Sequence, residues 1–532
     1  MTGRTSGEQP NPGGPFPTTP VGFGPPIDPA VHGAFAPQPQ PQPQPEAPGT
    51  PAPARDWLAD RPGTVVLAVL VAVLLAIGGG VFVTVRTDRD HRLAQQGGTA
   101  PAPSGSASVD QGDGKGPGVG RDVYDPNVDI KPGEARVWLR DNQIDVAGSG
   151  VSQFGPWWVG DVVVRATFKE VAGYAVADGQ EKWKIPLPTP ICGAPRAPSA
   201  DGKLVLGLQE KDSGTSTCTD LQQIDLTTGK AGWKAPVPQE NRFDTTGTFE
   251  MAITGDTVAV GRTGNGSAFS VADGHKLFAT PTESGCHVTM FAGGPRLLAA
   301  RTCLNQDQVV LQELDPATGT VKWSHMFDKG WKLGRVLSAE PIVVAAYHKE
   351  RNIWHIIAFT PDGKVRSQGE ATFGVSGRCN GWGNSGGFQD CYSAVADADT
   401  LYIGAGKQGK ELGIDATDQV VAIDLNTGKE KWRTAGQPKG RTVWPLAIEN
   451  GRVVVYVSPG SGEAASVVSL APADGTAQPV LQSPAAAAGA ESVFYSTSLR
   501  VAWAGGRLFL LNGRVYTSEP RKASRAFLSF GK

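Results

Sequence analysis

The chain lacks a surplus of either charge. Its 49 Lys and Arg residues face 51 Asp and Glu residues, giving a net charge of −2, so there is no general basic surface to attract nucleic acid phosphates. Charged residues are also few, at 19% of the 532, while Gly and Pro are abundant, at 69 and 42 residues. This composition favours short strands joined by turns over long surface helices. It predicts a mostly β protein whose partners do not include nucleic acid.

Several chemical signatures are also absent. The sequence has no Gly-x-x-x-x-Gly-Lys-Ser/Thr phosphate loop, no Cys-x-x-Cys and no pair of adjacent cysteines. Its 7 histidines are scattered along the chain rather than grouped at the spacing of metal ligands. We therefore predict no metal site, no cofactor and no catalytic residue.

The first 135 residues differ in composition from the rest and divide into three parts. Residues 1–63 contain 17 of the 42 prolines and no Lys, which predicts a disordered Pro-rich tail; a polyproline II ligand is the alternative function for this tail. Residues 64–85 carry no charge, and 14 of these 22 are Val, Leu, Ile or Phe, which predicts a transmembrane helix. Residues 86–135 are rich in Gly, Ser, Ala and Pro, as in a flexible linker.

Two features of the sequence, the flanking arginines and the cysteines, disagree about the orientation of this helix. Three arginines follow it and two precede it within a short distance, which slightly favours a cytoplasmic C-terminal side. Long domains, however, cross membranes largely regardless of such charges, and the cysteines described below favour an oxidising compartment. We therefore expect a single-pass cell membrane protein with a cytoplasmic N-terminus and an extracytoplasmic domain at residues 136–532.

A repeat runs through residues 136–532. Its clearest copies are QIDLTTGKAGW, ELDPATGTVKW and AIDLNTGKEKW, which end at Trp233, Trp323 and Trp432. Four shorter copies carry the same turn, and the turn glycines follow one another at intervals of 50, 45, 45, 44, 65 and 47 residues. They are Gly179, Gly229, Gly274, Gly319, Gly363, Gly428 and Gly475.

Each copy describes a hairpin followed by a large ring. The Gly supplies the positive φ of the turn, and in five copies an aromatic side chain follows it four residues later. A ring at one place in every unit is suited to fill the contact between neighbouring units. The predicted blade-docking residues are Trp183, Trp233, Phe278, Trp323 and Trp432. Apolar runs such as GKLVLGL and GRVVVYVSP precede the turns and are interpreted as inner strands of four-stranded blades.

The length of the repeat sets the number of blades. About 46 residues per unit divides residues 136–532 into eight blades, whereas seven blades would need about 57 residues each. The last unit lacks an outer strand, and residues 135–141 (ARVWLRD) could supply it. We therefore predict an all-β, eight-bladed β-propeller closed by exchange of a terminal strand, with seven blades as the alternative.

The repeat "Ala-x-Asp-x-x-Thr-Gly-x-x-x-Trp" resembles that of the quinoprotein-like, or pyrroloquinoline-quinone-binding-like, propeller family over residues 136–532. This family includes quinoprotein dehydrogenases and the non-enzymatic outer-membrane protein assembly factor B. The layout of tail, helix and propeller also resembles single-pass membrane proteins of high-GC Gram-positive bacteria. For a dehydrogenase, the resemblance implies a disulfide between adjacent cysteines stacked on the quinone, together with bound calcium and an Asp base. No adjacent cysteines occur here, and none of these residues can be carried over.

The six cysteines form three close pairs in different repeats. Because propeller contacts lie within a blade or between adjacent blades, pairing of nearest neighbours is expected. The predicted disulfides are Cys192 with Cys218, Cys286 with Cys303, and Cys379 with Cys391. Metal binding is the alternative, with no ligand spacing to favour it.

The stretched interval of the repeat contains GRCNGWGNSGGFQDCY. We expect this loop to be fixed by Cys379 and Cys391 and to expose aromatic side chains as anchors for a protein or a glycan. The candidate binding residues are Trp382, Phe388 and Tyr392. An equally weighted alternative is an insertion whose aromatic side chains cover a blade edge.

These features together favour a non-enzymatic, membrane-anchored propeller that binds an unidentified protein or cell-envelope component, in a scaffold, assembly or sensor role. A quinone-dependent dehydrogenase is the alternative function.

Overall fold

The computed structural model describes residues 124–146, 148–212, 216–240, 244–280, 285–303, 308–375, 379, 387–406, 417–438, 440–494, 499–518 and 524–532. The predicted tail, the predicted transmembrane segment and most of the predicted linker lie outside these residues. Within the described ranges no helix is long and apolar enough to span a membrane. The longest described α-helix is α1 (Ala488–Glu491), which follows a 3₁₀ turn at Ala485–Ala487.

The described strands form eight antiparallel sheets. The first half of the propeller contains β1 (Arg136–Asp141), β2 (Val151–Val159), β3 (Val162–Thr167), β4 (Glu170–Ala175), β5 (Glu181–Pro186), β6 (Ile191–Gly193), β7 (Lys203–Gln209), β8 (Cys218–Asp225), β9 (Lys230–Pro236), β10 (Thr245–Thr254), β11 (Thr257–Thr263), β12 (Asn265–Ser270), β13 (Lys276–Ala279), β14 (Cys286–Ala292), β15 (Leu297–Cys303), β16 (Gln308–Leu314) and β17 (Val321–Met326). The second half contains β18 (Trp331–Ala339), β19 (Ile342–His348), β20 (Ile353–Phe359), β21 (Val365–Glu370), β22 (Gly374–Val375), β23 (Ala394–Ala396), β24 (Thr400–Gly406), β25 (Thr417–Asp424), β26 (Glu430–Arg433), β27 (Val443–Glu449), β28 (Arg452–Val457), β29 (Ser466–Leu470), β30 (Ala477–Gln482), β31 (Arg500–Ala504), β32 (Arg507–Leu511), β33 (Arg514–Val515) and β34 (Arg525–Gly531).

Each sheet is one blade of the propeller. Blades 1 to 5 begin at β2, β6, β10, β14 and β18 and contain four consecutive strands each, with β33 added beside β2. Blade 6 spans β22–β26, blade 7 spans β27–β30, and blade 8 has the order β31-β32-β34-β1. The all-β, eight-bladed prediction is therefore confirmed, and the seven-bladed alternative is not.

Blade 8 is built from both ends of the domain, as predicted. Strand β1 pairs antiparallel with β34, with Trp138 opposite Ser529 and Leu139 opposite Leu528. The Arg525 guanidinium donates to both carboxylate oxygens of Asp141 at 2.8 and 3.0 Å across this pair. The exchange gives β34 a partner, so the ring closes without an open sheet edge at that strand.

The apolar runs before the turns form the second strand of each blade, not the innermost one. Every residue of β3, β19 and β24 is buried, whereas β2 contains buried, half-buried and exposed positions. A second strand is covered on both faces by the neighbouring blades, so it is buried throughout and mainly apolar. The innermost strand borders the central opening and carries polar side chains.

The repeated aromatic side chains lie between consecutive blades. Each packs on the turn Gly of the following blade, so closely that a Cβ added to Gly229 would be 2.4 Å from the Trp183 ring. These glycines also have positive φ, +65° at Gly229, so glycine is required there for two reasons. The contacts are Trp183 on Gly229, Trp233 on Gly274, Phe278 on Gly319, Trp323 on Gly363 and Trp432 on Gly475, and in blade 8 Trp138 on Gly179.

The three disulfides are the predicted ones. Cys192 and Cys218 join β6 to β8 within blade 2, and Cys286 and Cys303 are opposite residues of β14 and β15. Cys379 and Cys391 close the stretched interval in blade 6, and their side chains are buried. In the described part of the chain no cysteine is free.

Candidate functional site

The inner strands of six blades surround one cavity of about 590 Å³, which we call the funnel. It receives residues from β2, β6, β10, β14, β18 and β31, which meet only at the centre of the ring. Four consecutive residues of blade 6, 387–390, also enter it, and we call them the plug segment. The polar side chains that line the funnel are Arg196, Glu250, Thr289, Arg335, Gln389, Asp390 and Arg500.

The plug segment is fixed to three other blades by hydrogen bonds. The Phe388 N–H donates to Glu250 Oε2 on β10 at 2.9 Å, and the Val336 N–H of β18 donates to the Phe388 carbonyl at 2.9 Å. The Gln389 amide both accepts from the Gly293 N–H and donates to its carbonyl, at 2.7 and 2.8 Å. The stretched interval thus reaches back to blades 3, 4 and 5 and narrows the centre of the ring.

This arrangement corrects one expectation for the loop. Phe388 is 1% exposed and belongs to the apolar core between blades 4 and 5, so it is not a surface anchor. Burial of this ring fixes the plug segment, which explains its position. Tyr392 is also buried, at 8% exposure, although its ring borders the arginines of the funnel. Trp382 lies outside the described residues, so its role as a binding residue stays a prediction.

Two arginines contact the Tyr392 ring. The Arg196 guanidinium lies 3.4 Å from the ring centroid, and Arg500 Nη1 donates to the Tyr392 hydroxyl at 3.2 Å. The Arg500 guanidinium is also 5.3 Å from the Phe154 ring centroid. Aromatic faces attract guanidinium groups and restrict their orientation. Arg196, Tyr392 and Arg500 therefore form a cluster, the arginine cluster, on one side of the funnel.

Asp390 is the anion that faces these cations. Burial acts to raise the pKa of its carboxyl group, but Arg500, the Gly387 N–H, Arg196 and Arg335 together outweigh burial and lower the pKa below its ordinary value. The Gly387 N–H donates to Asp390 Oδ2 at 2.8 Å. Asp390 is therefore ionised near neutral pH and offsets one of the three arginine charges.

Glu250 behaves in the opposite way. Burial raises the pKa of its carboxyl group to about 7, aided by the negative charge of Asp390 and opposed by the Phe388 N–H and Arg335. Near neutral pH this side chain carries only part of a negative charge. Among the described residues, the five ionisable groups that line the funnel therefore have a net positive charge.

Replacement of Glu250 by Gln should reduce the pH dependence of stability. Between 4.5, the ordinary pKa, and about 7, the folded protein keeps a proton at Glu250 that the unfolded chain has lost, so the free energy of unfolding falls as pH rises through this window. Gln cannot ionise, and the decrease in Glu250→Gln should be smaller by on the order of 1–2 kcal/mol. Urea unfolding of both proteins at about pH 5 and pH 8 measures this difference. Equal decreases would contradict the assigned burial.

The funnel does not fit calcium and a quinone as the dehydrogenases of the resembled family hold them. Calcium requires several oxygen ligands directed at one point, but Glu250 and Asp390 both accept backbone N–H groups of the plug segment. Cys192 lines the funnel, yet it is bonded to Cys218 of β8 and not to an adjacent cysteine. Within the described ranges no group of three or more His, Cys, Asp or Glu side chains is placed to hold a metal ion.

The charged residues of the funnel were not identified from the sequence. They come from segments far apart in the chain, and each innermost strand that contributes one has an irregular apolar sequence. A usable signal was the presence of a charge within these segments, as in FEMAIT around Glu250 and WKLGRVLSA around Arg335. The sequence indicates Tyr392 as a candidate binding residue, but as an exposed anchor and not as a partner of arginines.

The family match agrees with the propeller fold. The family model described as outer membrane protein assembly factor BamB matches residues 128–291, 219–374 and 306–525. No curated protein sequence matches the chain significantly. BamB from Moraxella catarrhalis is 14% identical, with a TM-score of 0.40, over 74% of this chain and 100% of that one. The quinohemoprotein alcohol dehydrogenase ADHIIG from Pseudomonas putida HK5 is 11% identical, with a TM-score of 0.41, over 75% and 76%.

These two structures carry no argument, because both TM-scores are below 0.5 and both identities are low. The family matches together cover residues 128–525, which is most of the chain and at least part of every blade. The chain therefore belongs to the family of outer membrane protein assembly factor BamB.

Proposed function

We propose that this protein is a non-enzymatic, membrane-anchored, extracytoplasmic propeller that binds a protein or cell-envelope component. The observation that carries the proposal is that both carboxyl groups of the funnel have a structural role. Glu250 Oε2 and Asp390 Oδ2 both accept backbone N–H groups of the plug segment, so both carboxyl groups stabilise the shape of the funnel. This structural use of the carboxyl groups favours a binding site over a general base, whose acceptor atom is directed at a substrate.

Membership of an assembly-factor family supports a role in binding proteins. The uncharged segment at residues 64–85 supports a membrane anchor. Three disulfides support an oxidising compartment for the propeller, because such bonds persist outside the cytosol. The Pro-rich tail would then lie in the cytoplasm, as in the single-pass proteins of high-GC Gram-positive bacteria that the layout resembles.

Crosslinking in intact cells tests this proposal. Formaldehyde-treated cells that carry the full chain should yield envelope proteins or envelope polymers attached to the propeller, identified by mass spectrometry. A matched chain that ends at residue 135 keeps the tail, the anchor and the linker, and should lose these attachments. An identical set of attachments for both chains would contradict the proposal, because the anchor alone would then account for them.

The dehydrogenase alternative has a separate test. The purified protein, supplied with pyrroloquinoline quinone, calcium and an alcohol, should show no dye-linked oxidation of the alcohol. Oxidation of the alcohol that depends on the quinone would contradict the non-enzymatic function and support the dehydrogenase alternative.

A further inference from the structure

The funnel contains more positive than negative charge. Arg196, Arg335 and Arg500 face Asp390, which is ionised, and Glu250, which is only partly ionised near neutral pH. Positive charge inside a concave, poorly hydrated site attracts anions more strongly than the same charge on an open surface.

The three arginines differ in what they already bind. Arg335 Nη1 donates to the Gly387 carbonyl at 2.5 Å and so holds the plug segment in place. Arg196 is different, because no described residue accepts a hydrogen bond from it and its Nη1 is buried without a partner among those residues. A buried donor without an acceptor costs free energy, and an oxyanion in the funnel would remove that cost.

The arginine cluster orients its donors before any ligand arrives. Arg196 stacks on the Tyr392 ring, and the Tyr392 hydroxyl accepts one of the five N–H groups of Arg500. Stacked guanidinium groups present flat pairs of donors, which match the two oxygens of a carboxylate or phosphate. Tyr392 is itself buried and follows Cys391, whose disulfide fixes this part of the chain.

We propose that the arginine cluster is a binding site for a small anionic ligand that carries carboxylate or phosphate groups. The funnel volume of about 590 Å³ lies within the roughly 300–1,000 Å³ of small-molecule sites. Arg196 and Arg500 bind the oxygens of the anion, and Tyr392 holds both guanidinium groups in position. This site goes beyond the proposed function and does not depend on where the propeller lies relative to a membrane.

Calorimetric titration of the purified full chain in neutral detergent, at low ionic strength, tests the proposal. The probes are citrate for carboxylates, pyrophosphate for phosphates and hexaglutamate for an acidic peptide. Citrate or pyrophosphate should bind at one site per chain, and Arg196→Gln should weaken binding at least about tenfold. The preferred probe identifies the anion as a carboxylate or a phosphate.

Two further variants test whether anion binding depends on the arginine cluster. Arg433→Gln changes an arginine of the outer strand β26 that pairs with Glu430, and it should bind the probe as the unchanged protein does. Arg500→Lys keeps the charge but loses the flat donor pair, so it should also weaken binding. The proposal is overturned if neither small probe binds, if Arg196→Gln and Arg500→Lys both bind normally, if Arg433→Gln loses binding equally, or if only hexaglutamate binds.

Discussion

Replacement of Trp432 by alanine should lower the free energy of unfolding by about 3 kcal/mol, the low end of the range for a buried Trp because this ring is partly exposed. The ring packs on the Gly475 turn of blade 7, and its Nε1 donates to the Pro472 carbonyl at 2.8 Å. Alanine would leave a cavity between blades 6 and 7 and an unpaired carbonyl. Such a loss is large against a total of roughly 5–15 kcal/mol for a domain.

Trp158 provides the matched control, because it is 45% exposed on β2 and is not one of the blade-docking residues. Trp158→Ala should change the free energy of unfolding by no more than about 0.5 kcal/mol. Urea denaturation followed by circular dichroism measures both variants under the same conditions. Similar losses in the two variants would mean that the repeated ring has no special role in joining the blades.

Removal of strand β1 should have a still larger effect. A chain that begins at residue 143 lacks the outer partner of β34 and also lacks Trp138, which packs on Gly179 of blade 1. The loss of a strand, a blade contact and the Arg525–Asp141 ion pair together should exceed about 5 kcal/mol, comparable to the stability of a whole domain. We expect this chain to unfold or to aggregate through the exposed edge of β34.

A chain that begins at residue 124 is the control, since it retains β1 and the residues that precede it. The Asn127 side chain in this preceding segment binds both the N–H and the carbonyl of Val137 at 2.8 Å. This control should unfold cooperatively at a temperature close to that of the full-length propeller. If both chains melt at the same temperature, the terminal strand does not close the ring.

The fold was predictable because its main signal repeats. The Thr-Gly and Asp-Gly turns, and the ring that follows four residues later, recur at a nearly constant spacing apart from one longer interval. The turn Gly is needed for its positive φ, and the ring is needed for its contact with the next blade. Trp138 was not recognised as a docking residue, because β1 and its partner β34 lie at opposite ends of the domain and are not joined by a turn. The terminal position of residues 135–141 still indicated the strand exchange.

The funnel was less predictable for a different reason. Its charged side chains come from separate blades, and nothing in the chain spacing of Arg196, Arg335 and Arg500 indicates that they converge. The position of the plug segment is also not predictable from the sequence. Its Gly-rich sequence indicates an insertion, but only the contacts of Phe388 with blade 5 and of Gln389 with blade 4 show that it turns inward.

The three disulfides connect the fold with the compartment in which the protein acts. Two of them lie within single blades, and the third fixes the chain beside Tyr392 and the plug segment. A disulfide typically contributes about 2–4 kcal/mol and persists in an oxidising environment. Both the stability of the propeller and the shape of the funnel therefore depend on whether these cysteines are oxidised.

Protease protection in intact protoplasts tests most directly that the propeller lies outside the membrane. Protease added to the medium should cut the linker after residue 92 and release or degrade the propeller, while an epitope in the Pro-rich tail at residues 1–63 remains intact. Detergent should then make the tail accessible, which controls for its susceptibility to the protease. Cleavage of the tail with a protected propeller before detergent is added would contradict the proposed topology and the extracytoplasmic binding function.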